Sequence, residues 1–272
     1  MGRCTIFESR HPHRGLTLPF AFLSFDFGYP WWLSYGNLPV LAAALALLSI
    51  GYLRRWRVSL MLIMGIIALW SAAAFLVDRF VIDINGVPAL PTQRFLASGA
   101  GRVLDIGAGT GRSSIMVLRA RPQATLVASD LFGESFDQHF GSEGVPNLRL
   151  LANLKAASVD QRATIRNADV RQLPFKSAEF DAVVSAYAMD HLNRAGSDQA
   201  LAEAARVLKP GGDFLLMVVG EDPWARFAFG PLLAHGGARR SDWWADHARS
   251  AGFDVSEEGM RPLTFYLLAQ LR

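Results

Sequence analysis

Asp105 stands two residues ahead of the first of three glycines in RVLDIGAGTGRSS (102–114), and that spacing limits what the segment can hold. Gly107, Gly109 and Gly111 remove side chains where a backbone must turn sharply and approach a ligand closely. The pattern is G-x-G-x-G, not the G-x-G-x-x-G of dinucleotide sites. A carboxylate so close to the turn repels a pyrophosphate and can receive an ammonium. Three further acids follow downstream, Asp130, Asp169 and Asp190, each at the close of an apolar run or just beyond it.

These residues need strands and helices to bring them together. Val103, Leu104 and Ile106 read as a buried strand, and Ser113 and Ser114 are placed to cap the helix behind the turn. ATLVASD (124–130) is a second strand ending in Asp130, 25 residues after Asp105. Strand and helix patterns then alternate to the end of the chain, which implies a mostly parallel, doubly wound α/β sheet. Such sheets bind ligands beyond the carboxyl ends of their strands, where all four acids are expected. Three acids and three glycines around one crevice suit a ligand with an ammonium, a sulfonium and a ribose better than one with phosphates.

VLDIGAGTG resembles the first motif of the class I S-adenosylmethionine-dependent methyltransferases, and later segments follow in that family's order. ATIRNADVRQLPF (163–175) resembles the third strand with its Asp-x-x-x-L-P-F ending, and FDAVVSAYAMDHL (180–192) the fourth strand and the loop beneath the sulfonium. LAEAARVLKPGGDFLLMVV (201–219) resembles the helix, the K-P-G-G turn and the fifth strand. AGFDVSEEGMRPLTFYLLAQL (251–271) resembles the closing antiparallel pair. The resemblance covers roughly residues 95–271 and implies a seven-stranded Rossmann-like sheet over a domain of residues 98–272. It also implies S-adenosyl-L-methionine as cofactor, held by Asp105, Gly107, Ala108, Gly109, Gly111, Asp130, Leu131, Asp169, Val170 and Ser185. In that set Asp130 takes the ribose hydroxyls and Asp169 the adenine amino group. No metal is implied.

The acceptor side is less specified. Methyl transfer from a sulfonium needs alignment and desolvation first, and a base only where the acceptor arrives protonated. Asp190 and His191, just past the fourth strand, are the candidate catalytic residues, since an imidazole titrates near neutral pH. Tyr187 in the same loop is a candidate for orienting the acceptor. LFGESFDQHFGSEGVP (131–146) is an additional stretch whose Phe132, Phe136 and Phe140 recur every four residues, giving one apolar stripe on a helix. It reads either as a loop helix packed on the sheet or as a lid over an apolar substrate, with Phe136 and His139 toward the acceptor. A second aromatic insertion, WARFAFGPLL (224–233), adds Trp224 to the candidate substrate residues. Trp243 and Trp244, in a helix over SDWWADHARSAG, read as core or as membrane-facing.

The first third of the chain has a different character. Val58–Val77 runs 20 residues without a charge and meets the length needed to cross the roughly 30 Å hydrocarbon core. The shorter run Leu38–Leu53 is extended by PWWLSYGN (30–37), whose Trp31, Trp32 and Tyr35 suit a membrane interface. Between the runs lies RRWR (54–57). The expected organisation is a polar segment at 1–29, a hairpin of two hydrophobic helices at 30–78 and a connector at 79–97. Two arrangements remain, a spanning hairpin and a shallow one whose arginines snorkel back to lipid phosphates, with the spanning form expected.

Composition agrees. Hydrophobic residues make up 51% of the 272, with a mean hydropathy of +0.21. Residues 1–97 carry eight Lys+Arg against four Asp+Glu, and residues 98–272 carry nineteen against twenty. The positive charge belongs to the apolar third, which fits contact with anionic lipid and argues against nucleic acid. The single cysteine, Cys4, rules out an intramolecular disulfide and suits a reducing compartment. The expectation is a bacterial inner-membrane protein with a cytoplasmic catalytic domain that methylates a small, lipophilic acceptor. The alternatives are a non-catalytic S-adenosylmethionine-binding assembly factor and an aminopropyltransferase. The latter needs a second acidic cluster to hold its amine, and none stands out beyond Asp190.

Overall fold

The computed structural model describes residues 25–132, 147–220, 222–229 and 239–272. Seven strands form one sheet in the order β3-β2-β1-β4-β5-β7-β6. They are β1 (Ala100–Ile106), β2 (Gln123–Asp130), β3 (Ala163–Asn167), β4 (Phe180–Ala186), β5 (Leu208–Val219), β6 (Phe253–Arg261) and β7 (Thr264–Leu271). The first five pair in parallel, while β7 runs antiparallel between β5 and β6. This is the doubly wound sheet expected. β2 and β4 flank β1 on opposite sides, so the connections diverge there and open a crevice beyond its carboxyl end.

Adjacent residues of the central strands serve opposite faces. Val183, Leu216 and Leu104 join one core with Phe180, Phe214, Phe253 and Trp244. Val184, Leu215 and Val103 join the other with Ile115, Leu150 and Phe95. Both faces are covered, so these strands read as unbroken apolar runs. In β5 the K-P-G-G segment does not form a turn ahead of the strand. It is absorbed within the strand as an irregularity, the register against β4 shifting between Phe180 and Ala182. Lys209 Nζ meets Asp181 Oδ1 there at 2.6 Å.

The N-terminal part forms α1 (Trp31–Tyr35), α2 (Asn37–Leu53) and α3 (Val58–Val77), with Arg54–Arg57 joining the last two. A π-helical turn, Asp78–Ile82, continues α3. Together they make one apolar helix, Val58–Ile82, long enough to cross a membrane by length and composition, whereas α2 is a shorter apolar helix of 17 residues. The segments flanking the helices enter the core of the sheet domain. Phe27, Leu90, Phe95 and Leu96 are all buried there. The guanidinium of Arg121 donates to the carbonyls of Phe95 and Gln93 at 2.9 and 2.8 Å. The packed unit therefore includes residues well ahead of 98.

Candidate active site

The glycine turn after β1 leads into α4 (Arg112–Ala120). Gly107, Gly109 and Gly111 take φ of +71°, +53° and +95°, a region disfavoured for residues with a Cβ. A Cβ on Gly107 would stand 2.2 Å from the Ala188 Cβ, so the loop after β4 lies directly on the turn. Ala108 is buried beside it.

Ser113 and Ser114 do not cap α4, contrary to expectation. The N-cap is Gly111, without a side-chain bond, and both hydroxyls donate to Asp105 Oδ2, at 2.7 and 2.6 Å. They lie in the first turn of the helix, directly over the buried carboxylate. Burial lifts the Asp105 carboxyl from 3.8 to about 6, against the lowering effect of the Ser114 and Ser113 bonds, and Asp130 adds to the rise. Asp105 Oδ1 is buried without a hydrogen-bond partner among the described residues.

Asp130, the last residue of β2, spans the crevice mouth. Its Oδ2 accepts the Gly109 amide and its Oδ1 the Leu131 amide, both at 2.7 Å. Burial raises its carboxyl, and the Gly109 and Leu131 bonds oppose that. Leu131 is half exposed beyond it. Asp169, past β3, carries a bidentate pair with Arg171, Nη2 to Oδ2 at 2.6 Å, which holds its carboxyl below the usual range. Val170 packs against the core. Asp169 thus faces an arginine partner as well as the edge where an adenine is expected.

Near the end of β4, Ser185 is fully buried and its Oγ lacks a partner among the described residues. Tyr187 takes φ of +56°, its amide bonds the Met217 carbonyl at 2.8 Å, and its hydroxyl pairs with Thr264. Burial raises the phenol, while Arg112 and the Thr264 bond lower it. Asp190 lies in the short turn Met189–His191. Its Oδ2 accepts the Val219 amide at 3.2 Å, and its buried Oδ1 has no partner among the described residues. His191 is exposed on the rim. Phe136 and His139 lie outside the described residues. Trp224 is exposed on α7 (Pro223–Phe229), away from the glycine turn's immediate neighbours. Trp244 is core, and Trp243 stacks on His247 at 3.8 Å between ring centres.

Several residues at this site carried no local signal. Thr110 Oγ1 donates to the Phe27 carbonyl at 3.1 Å. Asn153, on α5 (Leu148–Ala156), donates to the carbonyls of Asp26 (2.7 Å) and Thr110 (2.9 Å). Arg112 donates to the carbonyls of Gly86 (2.7 Å) and Asp83 (3.2 Å), with its guanidinium 5.8 Å from the centre of the Tyr187 ring. Both flanks of the helical hairpin are therefore bonded to the glycine-turn end of the domain.

The donor set has a definite character: buried acceptors at Asp105 and Asp190, a carboxylate at the end of β2, and glycines that admit close approach. It suits an ammonium and a ribose diol, and among the described residues it offers no cluster of cations for phosphates. Residues 103–212 match the family model described as methyltransferase domain. That segment is similar to methyltransferase domains. Relatives include demethylmenaquinone methyltransferase of Deinococcus radiodurans, 35% identical over 45% of this chain and 44% of that protein. The ubiquinone/menaquinone biosynthesis C-methyltransferase of Desulfotalea psychrophila is 32% identical over 49% and 44%. The chain spans about half the length of the curated relatives it matches. Among solved structures, an O-methyltransferase family protein from Burkholderia thailandensis shares the fold with a TM-score of 0.51 at 18% identity, over 89% of this chain and 70% of that one. The PH0226 protein from Pyrococcus horikoshii also shares the fold, with a TM-score of 0.51 at 16% identity, over 66% of this chain and 85% of that one.

Proposed function

We propose that the chain is a membrane-anchored methyltransferase that transfers a methyl group to a small lipophilic acceptor of quinone-like chemistry. One observation carries this reading. The connector leaving the apolar helix Val58–Ile82 is bonded through its Asp83 and Gly86 carbonyls to Arg112, the first residue of α4 behind the glycine turn. An anchor joined to the cofactor turn fixes the crevice beside the bilayer, where a lipophilic acceptor is concentrated. The relatives named for menaquinone and ubiquinone biosynthesis support the same substrate class. The hairpin is read as spanning, with Arg54, Arg55 and Arg57 at the far head groups and the catalytic domain in the cytoplasm.

When bound, the cofactor supplies a methyl group on a cationic sulfonium, open to in-line displacement. The chain's own groups then have separable tasks. Asp105 receives the ammonium, Asp130 the ribose diol, and the glycines let the backbone close on both. Half-buried Tyr187 and Asp190 line the acceptor side, where excluding water strengthens every polar contact. His191 on the rim is placed to take a proton from a hydroxyl or an acidic carbon.

The test uses membranes containing the protein, labelled S-adenosylmethionine and a host extract separated into organic and aqueous fractions, with Asp130→Ala membranes as control. Label entering the organic fraction only with the intact protein is expected. Label confined to the aqueous fraction would overturn the lipophilic-acceptor reading. Cofactor binding without label in either fraction would favour a binding module.

A further inference from the structure

The catalytic domain exposes apolar side chains on one side, next to the anchor. Trp224 (51%) and Phe227 (39%) on α7 are exposed, as are Phe80 (76%) and Val81 (38%) on the π-helical turn. They are neighbours in space, because α7 packs along α3 and the π-helical turn. The Trp70 indole of α3 donates to the Phe227 carbonyl at 3.2 Å, which pins α7 to the helix. Met260 on β6, half exposed, extends the patch. Its Cε lies 2.7 Å from where a Cβ on Gly220 would stand, just ahead of α7.

This patch continues the lipid-facing surface of the hairpin, where Leu62, Ile66 and Leu69 are also exposed. Its composition changes along the way. The stretch of α3 from Leu60 to Leu69 exposes aliphatic side chains, whereas α7 and the π-helical turn mix aromatic rings with Arg226 and Arg79. Aromatic rings beside arginines suit the boundary between hydrocarbon and head groups, where an amphipathic ring and a cation are both accommodated.

The patch is also linked to the acceptor side of the crevice. Asp222 caps α7, its Oδ1 accepting the Trp224 and Ala225 amides at 2.8 and 3.2 Å, while its Oδ2 accepts the Leu263 amide. The next residue, Thr264, pairs with the Tyr187 hydroxyl. The chain thus passes from exposed Trp224 to half-buried Tyr187 through Asp222 and the β6–β7 turn.

We propose that α7 and the π-helical turn form a second membrane contact, seated in the bilayer interface and positioned at the point where a lipophilic acceptor leaves the bilayer for the crevice. The contact rests on the membrane-anchored reading above and adds to it that the domain itself touches lipid through Trp224, Phe227 and Phe80. A tethered domain free to swing would have no use for a bonded apolar face next to its anchor.

The experiment places the full chain in vesicles of mixed zwitterionic and anionic phospholipid, in a Cys4→Ser background. Single cysteines at Trp224, Phe227, Phe80, Leu62 or Gln161 carry a fluorophore, and lipids bear quenchers either near the head group or deep in the acyl chain. Labels at 224, 227 and 80 are expected to be quenched severalfold more by the shallow quencher than the label at exposed Gln161, and the label at 62 by the deep one. Quenching at 62 with labels at 224 and 227 as unquenched as that at 161 would overturn the second contact and leave the anchor standing. The same result with labels at 224 and 227 shielded from an aqueous quencher would assign the face to a protein partner and also overturn it. Absence of quenching at 62 would overturn the anchored reading itself.

Discussion

The Asp130 carboxylate accepts the Gly109 amide at 2.7 Å, so the acid that ends β2 is locked to the turn that ends β1. Gly109 takes a φ of +53°, which aims its N–H across the crevice mouth. The two motifs are 21 residues apart and meet because β1 and β2 are parallel neighbours in register, Ile106 beside Ser129.

Asp130→Ala removes the carboxylate assigned to the ribose diol. Hydrogen bonds to a charged group contribute ~1.5–3 kcal/mol, so the cofactor Kd is expected to rise about 10- to 100-fold. Calorimetric titration with S-adenosylmethionine measures it. An unchanged Kd would remove Asp130 from the cofactor site.

Asp105 makes stability depend on pH in an unusual direction. Its folded carboxyl titrates at about 6 against an ordinary 3.8, so between those values the folded chain binds more protons than the unfolded one. Its contribution to stability is then present at low pH and falls as pH rises through about 6. The penalty above that point is about 3 kcal/mol. Without cofactor, Asp105→Asn is expected to melt above the parent at neutral pH, with the free-energy gap shrinking to about half near pH 5. Thermal melts across that range measure it; a gap independent of pH would contradict the assignment. The cofactor's ammonium favours the charged form, so parent affinity should rise with pH through about 6 and the variant's should not.

Gly107→Ala meets two obstacles, a φ of +71° and an Ala188 Cβ only 2.2 Å from the new atom. The backbone strain alone costs ~1–3 kcal/mol. Adding Ala188→Gly relieves the clash and leaves the φ penalty, so the double variant is expected to regain part of the lost melting temperature. No recovery would mean the loop after β4 does not rest on the turn.

Arg112→Leu severs the bonds to the Gly86 and Asp83 carbonyls. Amide hydrogen exchange is expected to quicken across 83–90 while β1, β4 and β5 keep their protection. Unaltered exchange there would show that the connector is held by other contacts.

Legibility varied with the range of the cause. The glycine turn, the alternating elements and the strand-end acids follow rules that act within a few residues, and all were readable. Serine at a helix start ordinarily caps it, but the Ser113 and Ser114 hydroxyls go to the buried Asp105 carboxylate, which no local rule signals. The K-P-G-G segment reads as a turn by composition, yet pairing with β4 draws it into β5. The apolar run Val58–Val77 was legible by length, and its extension to Ile82 was not, because a π-helical turn carries it past the first charge at Asp78.

By itself the sequence determined the α/β class and the order of the strands along the chain, since glycine spacing and residue periodicity act locally. Only the tertiary structure decided which distant groups meet. Thr110 meets Phe27 across 83 residues, Tyr187 meets Thr264 across 77, and Trp70 meets Phe227 across 157. These pairs are set by strand order and by the docking of the hairpin's flanks on the sheet. No pattern within one element encodes a partner that only the packing of other elements brings near.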